Sequence, residues 1–246
     1  MTARGYFVSG TDTEIGKTLI GACLLQFLTR TGLRTVGMKP VAAGAELRDG
    51  GWHNDDCDAL AAQASLAPPQ RLTTPYLFRQ PTAPHIAAAL EGRTIDLPAI
   101  LDCYRQVADL ADAVVVEGVG GFRVPLGPTT DTADLAQQLG LPVVLVVGVR
   151  LGCINHALLT AEAIAARGLA LAGWVANSVD ADMLNAAATV EAIAARIDAP
   201  LLGWVPRLQA AGTELTAAAL EHLDFSILPP GFRPVSATQS SSAKEI

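Results

Sequence analysis

Short apolar runs alternate along this chain with longer stretches in which apolar positions recur every three or four residues. The runs of strand length are Tyr6–Ser9, Thr35–Met38, Ala113–Val116, Val143–Val147, Ala170–Ala176 and Leu201–Val205. They are too continuous to leave one side wet, which predicts strands buried on both faces. Between them, Leu19–Thr31, Asp58–Ser65, Leu97–Leu110, Asp134–Leu139, Ile154–Arg167 and Met183–Ile197 carry the helical period. Strands alternating with such helices make βαβ units, so the chain reads as α/β: a mostly parallel sheet with helices on both faces. Gly44 to Asp56 is polar and glycine-rich and predicts a surface loop. The end of the chain turns Pro-, Ser- and Gln-rich, which predicts one domain over 1–228 and a disordered tail over 229–246.

Composition narrows the picture. The 246 residues suffice for one α/β domain with a sizeable core. No apolar run reaches the roughly 20 residues needed to cross a bilayer, and Met1–Tyr6 lacks the basic-then-apolar pattern of an export signal, so the expected place is the cytoplasm. A net charge of −7 opposes general nucleic-acid binding, which needs a basic face. Cys23, Cys57, Cys103 and Cys153 form no CxxC pair and the four histidines are scattered, so neither a zinc site nor a disulfide framework is expected. Only three of the seventeen basic residues are lysines: Lys17, Lys39 and the tail residue Lys244. A chain that otherwise uses arginine and places lysine at two sequence motifs points to sites needing a compact ammonium.

Lys17 closes Gly10-Thr11-Asp12-Thr13-Glu14-Ile15-Gly16-Lys17-Thr18, set between a predicted strand and a predicted helix. In such a loop, backbone N–H groups and a helix N-terminus converge on phosphate oxygens. The spacing is Gly-x5-Gly-Lys-Thr, one residue longer than the usual phosphate loop, and makes the expected fold P-loop NTPase-like. Lys17 is placed to reach β- and γ-phosphates and the Thr18 hydroxyl to meet Mg2+. The run Val114-Val115-Val116-Glu117-Gly118 ends a core strand on a carboxylate, where open α/β sheets bind ligands and where a hard cation finds an oxygen. Gly118, Gly120 and Gly121 let the backbone pass close to a ligand.

These residues resemble a particular family. The Gly10–Thr18 loop, with its extra residue, is similar to that of the dethiobiotin synthetases. So are Lys39-Pro40-Val41, Glu117-Gly118-Val119-Gly120-Gly121, Leu151-Gly152-Cys153-Ile154-Asn155-His156, Gly173-Trp174-Val175-Ala176-Asn177, and Pro200-Leu201-Leu202-Gly203 with Val205-Pro206. The resemblance runs in order from Tyr6 to Leu208. It implies Mg-ATP-dependent ring closure of 7,8-diaminononanoate with CO2, through a carbamate and a carbamic–phosphoric anhydride, in biotin synthesis. It implies Lys39, Lys17 and Thr13 as catalytic groups. ATP would be held by Glu14, Ile15, Gly16, Lys17, Thr18, Leu19, Asp56, Glu117, Gly118, Val119 and Gly120. Asn177, Pro206, Arg207 and Leu208 would flank the adenine. Thr18, Glu117 and an Asp from the Asn54-Asp55-Asp56 element would take Mg2+; Asp56 fits the family spacing and Asp58 competes with it. The diamine would meet Thr13, Lys39 and position 43, and its carboxylate the backbone of Gly152, Cys153, Ile154 and Asn155 across a homodimer interface. Here the family commonly has a Ser or Thr hydroxyl, whereas this chain has Ala43. His156 and the Cys153 thiol read as structural.

The alternative is a regulatory ATPase of the partition and cell-division kind, which shares this sheet. Those proteins carry a signature lysine early in the loop, where this chain has Asp12. An amidotransferase would need a further glutaminase domain, for which no length remains. A non-catalytic scaffold would not need both motif lysines and their acids.

Overall fold

A computed structural model describes residues 4–229. The segment expected to be a tail lies outside the described residues from 230 onward. From the amino terminus, β1 (Arg4–Gly10) leads into α1 (Lys17–Arg30) and β2 (Thr35–Met38). Short elements follow: β3 (Val41–Ala43), β4 (Glu46–Arg48), β5 (Gly51–His53), α2 (Asp55–Gln63), α3 (Gln70–Thr73), β6 (Tyr76–Phe78) and α4 (Pro84–Leu90). The rest alternates: α5 (Leu97–Leu110), β7 (Ala113–Glu117), α6 (Thr132–Leu139), β8 (Val143–Val149) and α7 (Cys153–Ala166). It ends with β9 (Leu171–Ser178), α8 (Ala186–Ala194), β10 (Leu201–Val205), α9 (Gly212–Leu220) and a single 3-10 turn, Phe225–Ile227.

The central sheet has the order β10-β9-β8-β1-β7-β2, and each neighbouring pair is parallel. Every residue of β7 and β8 is buried, as two covered faces require. The strand period of two sorts their side chains. Val114 and Val116 pack with Ile100, Tyr104 and Val107 of α5 and Leu135 of α6 on one face. Ala113 and Val115 pack with Ile20, Leu24 and Leu28 of α1 on the other. Leu145, Val147 and Trp174 meet α7 and α8 in a third cluster. Each such large side chain taken out of water contributes about 1.5–3 kcal/mol.

Topology fixes where a ligand can sit. The chain leaves β1 toward β2 on one side and leaves β8 toward β9 on the other. A crevice therefore opens at the carboxyl ends of β1 and β8, the switch point at which such sheets bind ligands.

Gly44–Asp56 is not a plain loop. Glu46 pairs with His53 and Arg48 with Gly51 in an antiparallel hairpin. The two turn residues, Asp49 and Gly50, both have positive φ, 50° and 80°, which suits a tight hairpin turn matched to strand twist. Asp-Gly is a strong hairpin signal, but Glu46-Leu47-Arg48 lacks the apolar alternation that would have flagged a strand. Helix α2 also starts earlier than its apolar period suggests, because the Asn54 side chain accepts from Asp56 N and Cys57 N and so caps it. The predicted helix Met183–Ile197 is shorter, Ala186–Ala194. The apolar pattern did not announce α3, α4, α9 or the small parallel β3–β6 sheet.

Candidate functional site

The loop leaving β1 is wound tightly. Glu14 (φ 57°) and Gly16 (φ 91°) are both left-handed. Thr11 N bonds to Val146 O at 3.0 Å, tying the loop's start to β8. Asn177, at the end of β9, donates from Nδ2 to Ile15 O at 2.8 Å and ties its far side. A Cβ on Gly16 would lie 2.3 Å from that same Nδ2, so this position needs glycine for space as well as for φ. Helix α1 then begins with no side-chain cap and no acidic residue in its first turn. Its leading N–H groups are left for an anion. Lys17 Nζ meanwhile donates to Asp12 O at 2.6 Å.

Four further side chains converge beside this loop. Thr18 Oγ1 lies 2.7 Å from Asp56 Oδ1 and 3.0 Å from Glu117 Oε1. Lys39, at the end of β2, donates to Asp56 Oδ2 at 2.8 Å and to Glu117 Oε1 at 2.5 Å. Glu117 ends β7 with its side chain wholly buried. Burial opposes the charge on Lys39, but Glu117 and Asp56 outweigh it and hold the ammonium's pKa above its ordinary value. Burial likewise opposes ionisation of Asp56, and Lys39 outweighs it, so that carboxyl titrates below its usual range. For Glu117 burial wins, and its pKa is raised despite Lys39. Lys17 is lowered to about 8, by burial first and then by the like charge of Lys39.

The donor set suits a hard cation. Thr18, Asp56 and Glu117 bring oxygens together, and Glu117 Oε2 is buried with no hydrogen-bond partner among the described residues. An orphaned carboxylate oxygen at full burial is costly unless something positive meets it, and all-oxygen donors fit Mg2+. Of the two acids the sequence left open, Asp56 faces Thr18. Asp58 instead lies 3.1 Å from His53 Nδ1 and 3.8 Å from Arg48.

These groups line a cleft of about 800 Å3 together with Thr13, Glu14, Gly16, Ala43, Val119 and Gly120. Gly120 (φ 62°) brings the turn after β7 against Thr13; a Cβ at position 120 would lie 3.4 Å from Thr13 Oγ1. Its far wall is Pro81, Thr82, Ala83 and Pro84, which no motif announced; the only signal is the two prolines. A second cavity of about 290 Å3 lies behind Lys39, lined by Trp52, Cys57, Leu60 and Leu66. It touches neither Lys17 nor Thr18, so a triphosphate would find no loop there.

Other sequence-predicted residues fall in separate places. Leu19 and Leu208 pack, half-buried, against the α1 side of the core. Arg207 donates to Val179 O at 3.1 Å, beside the end of β9, with Pro206 exposed next to it. Ala43 lines the cleft, and its carbonyl accepts from Asn54 Nδ2 at 3.1 Å. Gly152, Cys153, Ile154 and Asn155 start α7 and do not line this chain's cleft. Gly152 is left-handed (φ 94°), Cys153 is buried and Asn155 is exposed.

A phosphate-type loop at the switch point of a parallel sheet, with a buried Lys–carboxylate cluster beside it, defines a P-loop nucleotide-binding α/β protein. The fold agrees with solved structures of that class. A ParA family ATPase from Chlorobium tepidum TLS superposes with a TM-score of 0.55 over 89% of this chain and 90% of its own, at 13% identity. The MinC:MinD cell division protein complex of Aquifex aeolicus gives 0.54 over 87% and 85%, also at 13% identity. At such identities the likeness speaks for the fold alone. Residues 4–214 match the family model described as an AAA domain. The ATP-dependent dethiobiotin synthetase BioD of Janthinobacterium sp. (strain Marseille) is 59% identical over 227 residues, 91% of this chain and 95% of that protein. The chain belongs to the dethiobiotin synthetase family, whose members are ligases.

Proposed function

We propose that this chain makes dethiobiotin from 7,8-diaminononanoate, CO2 and ATP, in the cytoplasm, as a step of biotin synthesis. One amine takes up CO2 as a carbamate and loses a proton. A carbamate oxygen attacks the γ-phosphorus and ADP leaves, giving a carbamic–phosphoric anhydride. The second amine then attacks the carbonyl carbon, phosphate departs with loss of another proton, and the ureido ring closes.

The difficult encounter is between two anions, so the protein must supply fixed positive charge more than acid–base chemistry. Lys17 serves the β- and γ-phosphates after leaving Asp12 O. Lys39, held charged by Asp56 and Glu117, serves the carbamate and the transferring phosphoryl group. Thr13 and Glu14 line the same cleft and orient the diamine. The backbone from Glu14 to Leu19 and from Gly118 to Gly120 wraps the phosphates. Asn177, with one N–H of Nδ2 held by Ile15 O, offers its second N–H and Oδ1 to the adenine, flanked by Pro206, Arg207 and Leu208. Thr18, Asp56 and Glu117 would hold Mg2+, which supplies positive charge against phosphate oxygens. Ala43 leaves that wall without a hydroxyl.

Gly152 to Asn155 serve a partner copy in a homodimer, capping the diamine's carboxylate. Two features support this: the α7 start has no side-chain cap and no first-turn acid, and neighbouring Leu151 is 93% exposed.

The observation that carries the reading is the buried Lys39 ammonium shared by Asp56 and Glu117, with Thr18 on the same two carboxylates. The test is phosphate release from Mg-ATP, with dethiobiotin measured alongside. Release should require both diamine and bicarbonate. Release at an equal rate without diamine contradicts the reading and favours a regulatory ATPase.

A further inference from the structure

The phosphate loop is anchored at its far side by Asn177, but its leading half is held by a different kind of contact. The Asp12 carboxylate is hydrogen-bonded and ion-paired to the Arg150 guanidinium. Its other oxygen, Oδ1, accepts from Thr13 N at 2.8 Å. The backbone carbonyl of the same residue is the acceptor on which Lys17 rests. Arg150 follows β8 directly, and its own carbonyl accepts from Cys153 N at 3.0 Å, closing the turn into α7. The pair therefore spans the crevice between β1 and β8, where the chain runs off in opposite directions.

We infer that Arg150 is a positioning residue for nucleotide binding: by holding Asp12 it fixes the leading turn of the phosphate loop against the β8–α7 turn. Chemistry and geometry both require some such tie. Glu14 occupies left-handed backbone, which costs free energy at a non-glycine residue, so the loop must be held in that shape by its surroundings. A loop fixed before the triphosphate arrives binds it without a further ordering cost. Each partner is a little over two-fifths exposed, so the tie is of moderate strength and sensitive to salt. It also uses, within one chain, the loop position at which the regulatory-ATPase reading requires a lysine. The inference deepens the proposed function and rests on its nucleotide site.

The test is calorimetric titration of the full-length protein with Mg-ADP and a non-hydrolysable Mg-ATP analogue, which needs no turnover. Arg150→Ala should bind roughly fivefold more weakly, with kcat at saturating ATP within about twofold of wild type. Asp12→Asn, which keeps the oxygen facing Thr13 N, should weaken binding by the same factor. The double variant should be no worse than either single one, and Arg150→Lys should restore most of the loss. Unchanged affinity in Arg150→Ala, or additive losses in the double variant, overturns the inference. So does tighter binding by Asp12→Asn, because that would mean that a freed Arg150 touches phosphate itself. Wild-type protein that binds no nucleotide would instead remove the functional reading beneath it.

Discussion

Lys39 is flanked by Pro40 and buried to 3% exposure between two carboxylates. A buried cation is kept only where its partners offset its desolvation, and removing one member of such a set leaves an uncompensated charge. Lys39→Gln should therefore lower turnover by about 10^2–10^3-fold, as loss of a preorganised charge on a transition state does. Its ATP affinity should stay within about threefold, because Lys17 and the loop remain. Steady-state kinetics beside calorimetry checks the split; a large loss of affinity with turnover intact would assign Lys39 to nucleotide binding instead. Much of this was legible from residue type alone. Two of three lysines in an arginine-rich chain fell at motifs, and both lie in the cleft. What residue type could not reveal is that Lys39 is paired with the same oxygens that suit a metal, since that depends on β2 and β7 ending beside the start of α2.

At the scale of elements, the site is set by where helices and strands stop. Asn54 caps α2 and bonds to Ala43 O, so it fixes the turn that carries Asp56. Asn54→Ala should cost about 1 kcal/mol of stability and raise the Mg2+ concentration needed for half-maximal activity. Melting curves and a Mg2+ titration check both effects, and an unchanged Mg2+ requirement would mean Asp56 is placed without the cap. The opposite end of the sheet has its own tie. Arg34, just before β2, donates from its side chain and its backbone N to Asp112, just before β7, at 2.8–3.1 Å. Hydrogen bonds from the Arg34 side chain, then its backbone, lower the Asp112 pKa to about 2. A carboxyl with a depressed folded-state pKa adds stability above its unfolded pKa of about 4, and loses it as pH falls toward 2. Asp112→Asn should therefore melt slightly below wild type at pH 7, with the gap closing near pH 2. A gap of constant size across that range would show that the carboxylate's charge is irrelevant. The six strands of the main sheet were readable because each is a continuous apolar run. The β4–β5 hairpin was not, because its residues are few and none is buried; α4 was not, because its seven residues are apolar nearly throughout and show no contrast between faces.

At the scale of the whole molecule, the sheet order places the ends of β1, β2, β7, β8 and β9 along one edge, and the site residues follow them. Gly152 to Asn155 lie at that edge but outside this chain's cleft. The proposal that they serve a second copy predicts a solution mass of twice the chain. Leu151→Glu, a charge at a 93% exposed apolar position, should shift the protein toward monomer and raise KM for the diamine by about tenfold or more, with ATP affinity little changed. A monomeric variant with unaltered KM would place the carboxylate site elsewhere. The order of motifs along the chain carried the family and the sheet, whereas the proposed pairing with a second copy would rest on surfaces that carry no periodic signal.

The most direct test of the account is a crystal structure with a non-hydrolysable ATP analogue and Mg2+. The triphosphate should lie in the Gly10–Thr18 loop, with Lys17 withdrawn from Asp12 O to the phosphates, the metal on Thr18, Asp56 and Glu117, and Lys39 within reach of the γ-phosphate. A triphosphate lodged away from Lys17, or Lys39 left with no path to it, would contradict the claim that two ammonium groups and a cation bring two anions together at this edge of the sheet.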